Sequence, residues 1–189
     1  LNRYANDNFQ RYTFNNKVNV KINEKLDFMS NTRFSREDYD RPTHMNALFY
    51  HNIARRWPTV PVYDNNGNYA EPNEITQLLN GGRSNNQKDD LSQQFQLTYR
   101  PIKNWNIVGN VNYKIQNRNN HTEVLKAYAY DVENNAYPMA VSDFAAGYTG
   151  VTAYNLKSDY LSANFFTDYT FKINDLHDFK ILAGFNSEL

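Results

Sequence analysis

The chain has 189 residues, a formal net charge of zero and no cysteine. The balance of 20 basic and 20 acidic residues leaves no basic surplus for nucleic acid, and the lack of cysteine rules out disulfides and thiol chemistry. Apolar residues make up 40%, below the usual level of about 45–50%, and much of that share is aromatic: 15 Tyr, 12 Phe and 2 Trp. A polar chain rich in rings suits a sheet that is wet on one face.

The first element is an alternating run. From Tyr12 the even positions read Tyr12, Phe14, Asn16, Val18, Val20 and Ile22, and the odd ones read Thr13, Asn15, Lys17, Asn19 and Lys21. Side chains alternate across a strand, so one face meets an apolar medium and the other water. A short polar break precedes a second extended run with Leu26, Phe28, Thr32 and Phe34 in phase, giving a hairpin over about 9–36.

A long connection over about 37–90 follows. Within it, PTHMNALFYHNIARRW (42–57) places Met45, Leu48, Phe49, Asn52, Ile53 and Arg56 at helical spacing, with Pro42 suited to the first turn. Pro58 and Pro61 then force extended chain. PVYDNNGNY carries Asn66-Gly67, a tight-turn signal between Val62-Tyr63 and Tyr69. NEITQLLNG predicts a second short helix with Asn73 as N-cap and Gly81 as its end. Residues 82–90 read as an irregular polar stretch.

The second hairpin, about 91–117, has apolar odd positions: Phe95, Leu97, Tyr99, then Trp105, Ile107, Val111, Tyr113 and Ile115. Pro101 starts its turn, and Val108 is the one apolar residue on the other face. A second long connection, about 118–158, is rich in Tyr and Asn. The third hairpin, about 159–189, carries Leu161, Ala163, Phe165, Tyr169, Phe171, Ile173, then Phe179, Ile181, Ala183 and Phe185 on one face.

The same unit thus occurs three times: long strand, short turn, long strand, with long connections between units. That asymmetry, and apolar runs of about ten steps, fit a transmembrane barrel better than ordinary strands of about 5–6 residues. Ten steps at ~3.3 Å, tilted by roughly 40°, span about 25 Å, the height of a lipid-facing band. The expected fold class is all-β: an antiparallel transmembrane β-barrel segment of about six strands in three hairpins. Six strands cannot close a barrel, so a larger one is expected. The opening LNRYAND, without initiator Met or signal segment, also reads as part of something longer. The expected lipid-facing residues are Tyr12, Phe14, Val18, Val20, Ile22, Phe28, Trp105, Ile107, Val111, Phe171, Phe179 and Ile181. The opposite face, with Lys17, Asn19, Lys21, Gln94, Gln96, Asn110, Asn112, Lys114, Asp168 and Lys172, suits a wet lumen. A soluble or surface-exposed β-rich module, glycan-binding or adhesive, would alternate in the same way.

Signs of enzymatic chemistry are missing from the sequence. The four His (44, 51, 121 and 177) have no metal-ligand spacing, no nucleophile elbow or phosphate loop occurs, and Asp64-Asn65-Asn66-Gly67 puts its Gly too early for a calcium loop. No enzyme, catalytic residue, metal or cofactor is expected. Binding is more plausible: Trp57, Tyr63, Tyr69, Tyr128, Tyr130 and Tyr137 lie in the long connections, where rings beside Asn and Asp can stack on sugars.

Three stretches, in order, resemble SusC-like (SusC/RagA) TonB-dependent transporters. RYTFNNKVNVKINEKLDF resembles an early barrel strand pair of that family, PTVPVYDNNGNY resembles its loop P-x-x-PVYDxxGNY, and NEITQLLNGGRSNNQKDDLSQQFQLTYRPIKNWNIVGNVNY resembles the hairpin that follows. The likeness covers roughly residues 8 to 116. It implies an outer-membrane barrel of about 22 strands in a Gram-negative bacterium. It also implies a plug, energy from TonB, a SusD-like lipoprotein lid, and import of oligosaccharides or peptides. Asn73-Glu74 departs from the family's frequent Asn-Pro.

Overall fold

The computed structural model describes residues 2–70, 74–130, 138–140, 148–174 and 177–189. In chain order its elements are α1 (Asn2–Ala5), β1 (Asn8–Asn23), β2 (Leu26–Pro42), α2 (Ala47–Arg55), α3 (Ile75–Asn80), β3 (Arg83–Tyr99), β4 (Trp105–Val124), β5 (Tyr128–Tyr130), β6 (Pro138–Ala140), β7 (Gly150–Ile173) and β8 (His177–Glu188). Six strands form one sheet in the order β1-β2-β3-β4-β7-β8, and β5 pairs with β6. The chain divides into two compact units. One holds Leu1–Gln10, Glu37–Gln87 and Arg118–Asn155; the other holds Arg11–Arg36, Lys88–Asn117 and Leu156–Leu189.

The second unit is sheet alone. β7 and β8 are antiparallel, with Phe165 opposite Phe185, Tyr169 opposite Ile181 and Phe171 opposite Phe179. The same sense is visible between β4 and β7, where Asn106 bonds Asp168 (2.8 Å), Asn110 bonds Asn164 (2.9 Å) and Asn112 bonds Ser162 (3.2 Å). As one number rises the other falls. β2 and β3 behave likewise, from Asp27–Arg100 through Thr32–Gln93 to Arg36–Asp89. The period-two pattern therefore does what it promises: three hairpins with alternating faces, all-β and antiparallel. The turns fall where expected. Asn23 Oδ1 accepts from Lys25 N (2.8 Å), and Asn104 takes the left-handed backbone that Asn tolerates (φ 68°).

The strands are longer than the sequence suggested. β2 runs on to Pro42, β3 begins at Arg83, β4 ends at Val124 and β7 begins at Gly150. The stretch 82–90, expected to be irregular, is mostly strand. Polar residues on both faces hide such extensions from a pattern search, but backbone pairing needs no apolar face, and side chains reinforce it. Asn85 donates to Asp38 (3.2 Å), Arg83 bonds Asp40 (Nη2–Oδ2 2.8 Å), and Ser84 lies 3.1 Å from Thr122.

The first unit holds the buried apolar core: Ala5, Met45, Phe49 and Leu78, with Tyr4 against them. α2 starts later than expected. Pro42 closes β2 rather than opening a helix, its carbonyl accepts from Met45 N (3.2 Å), and Asn46 caps the helix by accepting from Phe49 N (3.1 Å). α3 also differs at its start. Glu74 occupies the N-cap without a side-chain capping bond, and Asn73 lies outside the described residues. Gly81 ends α3 as expected, with His44 packed against its Cα. The left-handed position is Gly82 (φ 98°), which the backbone of Glu123 approaches so closely that a Cβ would collide with it.

Candidate functional site

Two features stand out, one in each unit. In the sheet unit the expected lipid-facing side chains share one face. Phe28 stacks on Phe95 (centroids 6.1 Å apart), and a row of rings runs from Trp105 to Tyr169 (6.3 Å), Phe171 (5.8 Å) and Phe179 (5.5 Å). Trp105 Nε1 donates to Thr167 Oγ1 (2.8 Å), which satisfies the ring's one polar atom within the sheet. Most of the rings stay open: Trp105 is 36% exposed and Phe185 70%, with Phe28 and Phe171 half-buried, and β1 and β8 are exposed along their whole length. A shallow groove of about 300 Å³ lies on this face, lined by Ile102, Trp105, Thr167, Tyr169, Ile181 and Ala183.

The other face is a polar network. Asp168 accepts from Asn106 and pairs with Lys180 (3.5 Å), and Gln116 donates to Asp90 (2.8 Å). Asn19, Lys21, Gln96 and Thr98 sit around a common hollow that Met29 also lines. Several apolar residues interrupt this face, among them Met29, Val108, Phe166 and Leu182. Val108 is buried, and Phe166 stands opposite Gly184, where the glycine leaves room for the ring. Beyond the apolar rows the first face turns ionic, with Arg36 on Asp89 and Lys157 near Asp159 (3.4 Å).

In the loop unit a cleft of about 260 Å³ opens between α2, residues 60–62 and α3. Phe49, Ile53, Val60, Val62 and Leu78 give it apolar walls, and Arg56 and Glu74, which pair with each other, give it a charged one. The sequence did not reveal this cleft. Nothing local links residues 56 and 74; the chain returns through a turn at 57–60 and the hairpin that sets Tyr63 opposite Tyr69, and only the Asn66-Gly67 turn of that path is marked in the sequence.

The loop aromatics are only partly brought together. Asp64 organises the Asn66-Gly67 turn by accepting from Asn66 N and Asn68 N (both 2.8 Å) and from Asn68 Nδ2 (3.2 Å). This holds Tyr63 opposite Tyr69, with the rings stacked at 5.0 Å. Tyr130 N then donates to Tyr69 O (2.8 Å), which adds the β5 strand alongside. Tyr128 and Trp57 are exposed, Trp57 to 75%, and neither has a ring partner among the described residues. Tyr137 lies outside the described residues. Among the described residues no group of His, Cys, Asp or Glu could hold a metal ion.

Compared with known proteins, the chain matches no protein-family model and no curated protein. No helix among the described residues is long and apolar enough to cross a membrane, which says nothing of strands.

Proposed function

We propose that this chain is part of a transmembrane β-barrel in a Gram-negative outer membrane, and that the barrel belongs to a SusC-like TonB-dependent importer of oligosaccharides or peptides. The observation that carries the reading is the apolar face of the sheet. It crosses six strands, it is backed by a hydrogen-bonded polar face, and most of its large side chains remain exposed while the buried core lies in the other unit. A soluble sandwich must bury such a face against a second sheet. A bilayer supplies the apolar medium without one.

The ring row from Trp105 to Phe179 suits an interfacial girdle, and the polar face suits a wet lumen. Two further points support the narrower, SusC-like part: the ordered likeness over residues 8 to 116, and long connections that carry their own packed unit. In this reading Trp57, Tyr63, Tyr69, Tyr128, Tyr130 and Tyr137 are candidate substrate contacts, and a SusD-like lid and TonB are partners of the whole transporter.

The test is fractionation of the full protein. It is expected in the detergent phase, with gel migration that shifts on boiling, and its removal is expected to abolish uptake of one oligosaccharide or peptide class. A protein that stays in the aqueous phase without detergent overturns the membrane reading. Normal uptake of every such substrate without it overturns the importer reading.

A further inference from the structure

The cleft in the loop unit has a chemistry that the barrel does not use. Its apolar walls face one ion pair. Glu74 is 8% exposed and therefore keeps a carboxylate inside the cleft wall, beside the Arg56 guanidinium. Arg56 also holds a buried Nε–H that has no acceptor among the described residues. Buried donors without acceptors are costly, so an arriving carbonyl or carboxylate is favoured there.

Size and lining narrow the occupant. At about 260 Å³ the cleft falls below the roughly 300–1,000 Å³ of pockets for drug-sized ligands. It has room for one side chain and its adjoining backbone, not for an oligosaccharide. Walls of Phe49, Ile53, Val62 and Leu78 cannot bond sugar hydroxyls. A cation and an anion side by side match a group that carries both an acceptor and an N–H donor.

We propose that this cleft binds one apolar amino-acid residue, free or within a peptide. Its side chain enters between α2 and α3, its carbonyl or carboxylate accepts from Arg56, and its N–H or ammonium group donates to Glu74. The proposal goes beyond the importer reading and does not rest on it, because the whole cleft is built within one unit.

Isothermal titration calorimetry on the full protein in detergent tests it, with leucine, Gly-Leu-Gly, Gly-Gly-Gly and cellobiose as probes. Leucine or Gly-Leu-Gly is expected to bind saturably, at least tenfold more tightly than Gly-Gly-Gly, and whichever of the two binds identifies a free residue or a peptide. Arg56→Gln is expected to weaken binding at least tenfold. Ile53→Trp narrows the cleft from a half-exposed position outside the core, so folding is retained and binding is expected to fall as far. The proposal is overturned if neither leucyl probe binds at millimolar concentration, if Gly-Gly-Gly binds equally, if Ile53→Trp leaves affinity unchanged, or if cellobiose binds and Ile53→Trp removes it. A membrane protein that binds no leucyl probe loses the cleft and keeps the barrel; a soluble protein that binds one does the reverse.

Discussion

Arg36 grips Asp89 through two parallel bonds, Nε to Oδ1 at 2.7 Å and Nη2 to Oδ2 at 2.8 Å. The pair sits two residues past Phe34 on β2 and two before Leu91 on β3, so both strands change from apolar to ionic at the same level. Such an in-register boundary is what a strand pair needs where it leaves an apolar layer for a charged one. The pair is partly exposed, and its worth is correspondingly modest. A double-mutant cycle with Arg36→Ala and Asp89→Ala should give a coupling of about 0.5–1 kcal/mol that shrinks in high salt. A coupling that salt does not change would mean that the pair is shielded from water.

The membrane reading makes a sharper prediction one strand away. Val20 and Asn19 are neighbours on β1 and face opposite sides of the sheet. If the even face meets mid-bilayer, Val20→Arg should cost roughly 2–4 kcal/mol in folding into lipid vesicles, and Asn19→Arg far less. Denaturant titration of the vesicle-inserted protein measures both. Equal penalties contradict the assignment of faces.

Two glycines separate backbone strain from crowding. Gly67 and Gly82 both have positive φ (84° and 98°), but a Cβ on Gly67 meets nothing within 4 Å, whereas one on Gly82 runs into the Glu123 carbonyl. Gly67→Ala should therefore cost about 1–2 kcal/mol, the left-handed penalty alone. Gly82→Ala should cost clearly more, because Thr43 Oγ1 also bonds the Glu123 carbonyl (2.6 Å) and holds it in place. Hydrogen exchange in the loop unit reads the difference, with faster exchange around residues 43 and 123 in the second variant.

The turn at 64–68 hangs on one carboxylate. Asp64 is largely buried and accepts from Asn66 and Asn68. Asp64→Ala leaves those donors without that partner and should destabilise the turn by about 1–3 kcal/mol. Limited proteolysis checks this: cleavage next to Tyr63 and Tyr69 should rise while the sheet unit stays resistant.

What could be read from sequence follows the physics of each part. The three hairpins are legible because one apolar face forces a period of two, as in Tyr12 to Ile22. The Asn66-Gly67 turn is legible because its backbone demand selects residue type. The strand ends at Pro42, Arg83, Val124 and Gly150 are not, because pairs such as Asp40–Arg83 satisfy the backbone with no apolar signature. Pro42 itself misleads, since a proline fits the end of an extended strand as well as the start of a helix. The cleft stays hidden for another reason: Arg56 and Glu74 lie far apart in sequence and meet only after the 57–60 turn and the Tyr63–Tyr69 hairpin have brought the chain back.

If the apolar face meets lipid, the two tryptophans report on two media. Trp57 is 75% exposed in the loop unit, whereas Trp105 lies on the apolar face within the ring row, its indole N–H already bonded to Thr167. With only two Trp in the chain, Trp57→Phe and Trp105→Phe each leave a single reporter among these residues. In vesicles that contain brominated lipid, emission from Trp105 should be quenched and lie to the blue, because heavy atoms quench only on contact. Trp57 should ignore the bromine and respond instead to aqueous iodide. A Trp105 signal quenched by iodide but not by brominated lipid would place the ring row in water. The apolar face of β4, β7 and β8 would then need a protein partner rather than a bilayer.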